Sequence, residues 1–136
     1  MMGVLFFLLF VILFISGVIL VIKHRKNTRN VVKIIFWCIV IGLPIYLLMN
    51  HRLNRMHKLE IHRVIEFYGG HVEEIKKVNS KDSPFGESGS ANTIYKIQYL
   101  SNGEVLTAWY RAIDNIGDIH EPVSKGYDEQ WIMDQK

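Results

Sequence analysis

The residues best suited to chemistry lie in His57-Lys58-Leu59-Glu60-Ile61-His62. Two histidines and a glutamate on one helix are the ingredients of a zinc-protease motif. That motif needs histidines four apart with the glutamate directly after the first, so that both imidazoles meet one ion. Here the histidines are five apart and diverge around the helix. His57 with Glu60, and His62 with Glu66, each offers half a metal site, but such pairs are more often surface contacts worth a few tenths of a kcal/mol. A solvated interfacial face is the expectation. Gly86-Glu87-Ser88-Gly89-Ser90 approaches the nucleophile elbow but has Ser90 where the second glycine belongs. It also lies in a loop, without the strand–turn–helix that would strain and present the serine. Asp114-Asn115-Ile116-Gly117-Asp118 has calcium-type residues without the alternating ligand spacing, so loop capping is expected there. No glycine-rich loop follows a strand in the manner phosphate binding requires. The sequence therefore assigns no catalytic, cofactor-binding or metal-binding residue, and the chain reads as a non-enzyme that needs no cofactor.

The elements around these residues begin with apolar sequence. Of the 136 residues, 49% are hydrophobic, and they concentrate before Asn50. Residues 4–22 carry no charge and are interrupted only by Ser16 and Gly17. At ~1.5 Å per residue a run of this length spans roughly 28 Å, close to the hydrocarbon thickness of a bilayer. A cleaved signal peptide would want a basic residue before a shorter core and a small-x-small cleavage site. A lipoprotein would want its cysteine there, whereas the one cysteine, Cys38, lies in the second apolar run. That run, residues 31–49, opens with Lys33 able to snorkel and carries Trp37 and Tyr46 toward its ends, as interfacial rings prefer. Gly42 and Pro44 should loosen or kink it. Lys23 to Asn30 leaves room for only a tight turn, so the expectation is a two-helix transmembrane hairpin over residues 1–49.

Charge sets the orientation. The formal charge of +3 is split: residues 1–49 hold Lys23, Arg25, Lys26, Arg29 and Lys33 and no acid, while residues 50–136 hold 11 basic against 13 acidic residues, a net of −2. A basic hairpin loop should be cytoplasmic, which places the C-terminal part outside the membrane. Arg52, Arg55, Lys58 and Arg63 pull the other way, four residues against five. A basic balance that resides in the membrane segments is not a nucleic-acid footprint, and no nucleic-acid partner is expected.

Residues 50–136 read as a small α+β domain. Ile61, Val64, Ile65 and Tyr68 fall at i, i+3, i+4 and i+7, the stripe of an amphipathic helix continuing from the second span, with Leu53 and Met56 extending it. Gly69-Gly70 ends it. In His71 to Val78 the apolar residues recur every third position, which fits neither period. The preceding glycines and the following Asn79 favour a strand that a bulge would accommodate. Asn79 to Asn92 is a flexible, exposed loop. Thr93–Leu100 and Val105–Ala112 alternate around Asn102-Gly103, the signature of a type I′ hairpin. That turn makes opposed residues sum to 205. Tyr95, Ile97, Tyr99, Leu106, Ala108 and Tyr110 then share the face that the helix covers. On the other face Lys96 meets Trp109, Gln98 meets Thr107, and Ile94 meets Arg111. A further short strand around Ile116 to Ile119 has room to pair with the hairpin. Pro122 to Lys136 is an acidic extended tail or short helix anchored by Trp131. The architecture expected is one helix on an antiparallel sheet of about three strands.

The second hairpin face carries the partner-binding candidates, Lys96, Trp109 and Arg111, with Lys96 lying across the indole. The alternative is that Trp109 packs under the C-terminal tail beside Trp131. A juxtamembrane helix ending in Gly-Gly, then Ile94-Tyr95-Lys96-Ile97-Gln98-Tyr99, Asn-Gly, and Thr107-Ala108-Trp109-Tyr110-Arg111, resembles small uncharacterised bacterial membrane proteins. Those place a helix–strand–hairpin unit, similar to half a PepSY domain, outside the membrane. The resemblance covers about residues 56–112 and implies no catalytic residues; it implies a single anchor, from which the two-helix anchor here departs. Two functions fit: a membrane-tethered binding or modulator module meeting a protein or envelope component, and an accessory subunit docking its hairpin onto a transporter or envelope complex in the bilayer.

Overall fold

A computed structural model describes residues 2–134. The fold is α+β, with two α-helices and one antiparallel four-stranded sheet, and it divides into two compact units, Met1–Arg52 and Leu53–Lys136.

The first unit holds helix α1 (Met2–Lys23) and the first part of helix α2 (Thr28–Phe67). The turn between them is His24–Asn27, shorter than the eight residues expected. Asn27 is the reason: its side chain accepts the Asn30 amide at 3.3 Å, an N-cap that lets the helix begin at Thr28. Pro44 lies inside α2, which stays helical on both sides of it. Gly17 allows a close approach between the two helices, since a Cβ added there would lie 2.7 Å from the Cys38 sulfur. Small residues at such crossings are the usual means of helix packing in lipid. The 18-residue apolar window of α2 has a mean hydropathy of 2.4 and is 6% buried, so this helix is long and apolar enough to cross a membrane. The apolar stretch of α1, Phe7–Lys23, falls short of 18 residues among those described.

The second unit begins with the last turns of α2, continuous with the apolar segment as expected. The helix ends in a Schellman motif: the Gly69 amide donates to Glu66 O and the Gly70 amide to Ile65 O, both at 2.9 Å, with Gly69 at φ +73°. Because helical geometry stops at Phe67, Tyr68 leaves the predicted stripe and is 63% exposed. The covered face runs instead through His57, Ile61 and Ile65, which are fully buried at i, i+4 and i+8.

Strand β1 (His71–Val78) follows, with the bulge falling between Val72 and Glu74. The loop contains a short 3-10 helix, Ser80–Asp82. Strands β2 (Asn92–Ser101) and β3 (Glu104–Ile113) form the hairpin in the predicted register, Tyr95 opposite Tyr110 and Lys96 opposite Trp109. Asn102 and Gly103 sit at φ 51° and 81°, as a type I′ turn requires. Two expectations are corrected here. Ile116 to Ile119 is not a strand: Asn115 accepts the Gly117 amide and Asp118 the His120 amide, closing turns in place of ladder bonds. The tail instead supplies β4 (Gln130–Met133), which pairs antiparallel with β3 from Ala108 to Arg111 and makes the sheet four-stranded, in the order β1-β2-β3-β4. Of the tail expected over residues 122–136, residues 135 and 136 lie outside the described residues.

The core of the unit is Ile61 and Ile65 against Tyr95, Ile97, Tyr99, Ala108, Tyr110 and Ala112, with Leu106, Trp131 and Met133 packed at its margin. Each fully buried isoleucine contributes about 1.5–3 kcal/mol.

Candidate functional site

On the sheet face away from the core, the register brings Lys96 and Trp109 together. The Lys96 ammonium lies 5.4 Å from the centre of the indole, and Ile132 of β4 stands on the other side of Trp109. The tail joins this sheet edge to edge, so Trp131 faces the core and stacks on Tyr110, with ring centres 4.2 Å apart, while Trp109 stays half-buried on the opposite face. Leu100 and Val105 extend the exposed face toward the hairpin tip. Arg111, the third candidate, is engaged inside the fold. Its guanidinium lies 5.1 Å from both the Phe85 and Tyr127 rings and donates to Asp128 O and to the Gln130 side chain. With Tyr127 donating to Glu87 and Asn92 holding the Gly89 and Tyr127 amides, these bonds tie the loop over residues 79–92 to the segment before β4.

A second constellation lies on the helix-covered side. Glu60 of α2, His120 from the turns after β3, and Glu129 just before β4 bring one ligand atom each within 4.8 Å of one another. His120 Nδ1 is 2.7 Å from Glu129 and its Nε2 is 3.9 Å from Glu60. Tyr110 donates its hydroxyl to the other Glu129 oxygen at 2.9 Å, and the Arg63 guanidinium grips both Glu60 oxygens. The Arg63 bond holds the Glu60 carboxyl below its usual range against the opposing effect of burial. Bonding to Glu129 raises the His120 imidazole above its ordinary value. These residues open onto a hollow of about 410 Å³, walled by Val64, Phe67, Tyr68, Trp131 and Met133.

His57 corrects the expectation of a solvated His57–His62 face. It is 0% exposed, with Nε2 donating to Ile113 O at 3.0 Å and Nδ1 accepting from the Tyr95 hydroxyl at 3.1 Å. Burial lowers its pKa, opposed by the Ile113 carbonyl and by Asp114 3.9 Å away. Both ring nitrogens are thus used in the neutral form, which makes His57 a pin between α2 and the hairpin. His62, by contrast, is exposed, and so is Glu66. Asp114 caps its loop by accepting the Thr93 hydroxyl at 2.9 Å.

In comparisons with known proteins, no protein-family model, no curated protein and no solved structure matches this chain.

Proposed function

We propose that this chain is a multi-pass integral membrane protein of a cell membrane, in which α1 and the apolar part of α2 cross the bilayer as a hairpin and the second unit is displayed outside the cytoplasm as a non-catalytic binding or modulator module. The observation that carries the reading is the exposure of the helices of the first unit: Ile12, Phe14, Ile19, Phe36, Ile39 and Leu47 each present about half or more of their surface, an arrangement suited to hydrocarbon and costly in water. The basic residues Lys23, Arg25, Lys26 and Arg29 in and beside the turn support a cytoplasmic loop.

The binding face of the module is the open side of the sheet around Lys96 and Trp109. An aromatic residue half-covered by its own sheet, with a cation laid across it, is the kind of anchor that dominates interfaces. Its partner is a protein or other envelope component. The test is crosslinked purification of the full chain from native membranes, alongside Trp109→Ala and Lys96→Glu. Loss of a crosslinked partner in variants that melt like the parent supports the reading; an unchanged partner set in both variants overturns it.

The grooves between α1 and α2 favour a second reading. One, of about 350 Å³, is lined by Phe10, Phe14, Val18, Ile35 and Ile39, a surface into which another transmembrane helix would pack. In that reading the chain is an accessory subunit docked through its hairpin. Replacing residues 1–49 with an unrelated two-helix anchor separates the two, because partner capture survives only if the module carries it.

A further inference from the structure

We infer that Glu60, His120 and Glu129 form a binding site for one divalent transition-metal ion of the zinc type, a site that the membrane-module reading neither uses nor needs.

The donor set is the first ground. One imidazole and two carboxylates from three separate parts of the chain converge, and they are ligands suited to zinc, manganese or iron and not to a soft, thiolate-seeking ion. Distance is the second. Ligands sharing one ion at ~2.1 Å can be no more than about 4.2 Å apart. The three ligand atoms lie within 4.8 Å of one another, so side-chain adjustments of well under an ångström bring them to one centre. The ordering of the ligands is the third. Glu60 is 8% exposed on a rigid helix, and Glu129 is oriented by the Tyr110 hydroxyl, itself fully buried, which is the outer support that metal-binding carboxylates characteristically have.

The charges now at the cluster are those an ion would replace. Two carboxylates this close repel, and the structure sets the Arg63 guanidinium on Glu60 and the His120 imidazole on Glu129. The Arg63 side chain is 69% exposed, so it can swing into water and leave Glu60 to an ion. The ion would take His120 through an unprotonated ring nitrogen. The hollow beside the cluster gives the ion an entry path, and leaves its remaining coordination positions to water or to a donor atom of a bound molecule.

The site also has a structural consequence. His120 and Glu129 flank the run of turns that delivers β4 to the sheet, while Glu60 is fixed on α2. An ion here would clamp that run to the helix, so binding should raise the melting temperature as ligand binding to the native state does.

The test is titration of tag-free, full-length protein in detergent with Zn²⁺ alone, followed by calorimetry and by thermal melts. One ion per chain is expected, with a higher melting temperature. His120→Ala should weaken binding by about 100-fold or more and Glu129→Gln by about 10-fold or more, beyond or within the range seen for supporting residues. His62→Ala, which removes an exposed histidine outside the cluster, should bind like the parent. Metal-free melts check folding; because Glu129→Gln keeps the size and the tyrosine bond of its parent, it decides the matter if His120→Ala unfolds. Absence of stoichiometric binding, or one-to-one binding that both cluster variants retain, would overturn the inference, as would binding lost in His62→Ala.

Discussion

His57 allows the coupling between helix and sheet to be measured with one side chain. Replacing it with phenylalanine keeps an aromatic ring in the core but leaves the Ile113 carbonyl without its donor and the Tyr95 hydroxyl without its acceptor. An orphaned buried polar group costs about 1–3 kcal/mol, so the variant should lose ~3 kcal/mol. For a domain of this size that corresponds to a drop of about 10–20 °C in melting temperature. The dependence on pH identifies the cause. The folded-state pKa of His57 lies below its unfolded value of 6.5 because burial opposes the charge. Below pH 6.5 the unfolded chain therefore takes up a proton that the folded chain refuses, and the parent loses stability as pH falls, by at most ~1.4 kcal/mol per unit. In His57→Phe this loss is absent. The gap between parent and variant, read from near-ultraviolet dichroism of the full chain in detergent, should be constant above pH 7 and shrink on acidification to pH 5. A gap that widens on acidification would refute the reasoning, because it would mean that His57 is a protonated partner of Asp114 and not a neutral hydrogen-bonding pin.

The other expectations follow from the same geometry. Ile97→Ala, at a fully buried position, should cost about 2–5 kcal/mol, while Trp109→Ala on the open face should cost clearly less; equal melting temperatures for the two would show that the second face is also core. Gly70→Ala should destabilise more than Gly69→Ala, because an added Cβ at Gly70 meets Tyr99 at 2.6 Å and Ile65 at 2.9 Å, whereas Gly69 faces open space and loses only its left-handed preference, about 1 kcal/mol. Chemical denaturation of both variants checks the order. His120 works opposite in sign to His57: its folded pKa is raised, so its stabilisation is complete below pH 6.5 and fades as pH climbs through the folded value. His120→Gln should flatten the alkaline side of the stability profile, measured in the presence of chelator.

What the sequence revealed was local. Asn102-Gly103 determines a two-residue turn by its own backbone preferences, and the register of ten residue pairs follows from it without knowledge of the rest of the chain. Gly69-Gly70 and the three-residue recurrence in β1 disclosed the cap and the bulge for the same reason. What it hid was non-local. The four residues of β4 hold too short an alternation to register as a strand, and only the open edge of β3 makes them one. His57 reads as a surface residue because its partners, the Tyr95 hydroxyl and the Ile113 carbonyl, lie 38 and 56 residues away. Its spacing of four from Ile61 and eight from Ile65 was the available signal. Tyr68 looked buried until the cap moved it off the helix. Glu60, His120 and Glu129 carry no motif at all, since the turns at Asn115 and Asp118 and the start of β4 are what bring the latter two back to the helix. Lys96 over Trp109 was foreseeable from register; the engagement of Arg111 by Phe85 and Tyr127 was not, because both rings belong to loops.

The central claim, a two-span hairpin displaying the second unit outside the cytoplasm, is tested most directly by cysteine accessibility in intact cells. Cys38 is replaced by serine, and single cysteines are placed in an N-terminal extension, at Asn27 in the turn and at Ser124, which is exposed in the second unit. A membrane-impermeant maleimide should label the extension and Ser124→Cys in intact cells, and Asn27→Cys only after permeabilisation. Labelling of Asn27→Cys in intact cells, or protection of Ser124→Cys, would contradict the orientation; an extension protected like Asn27→Cys would contradict the hairpin.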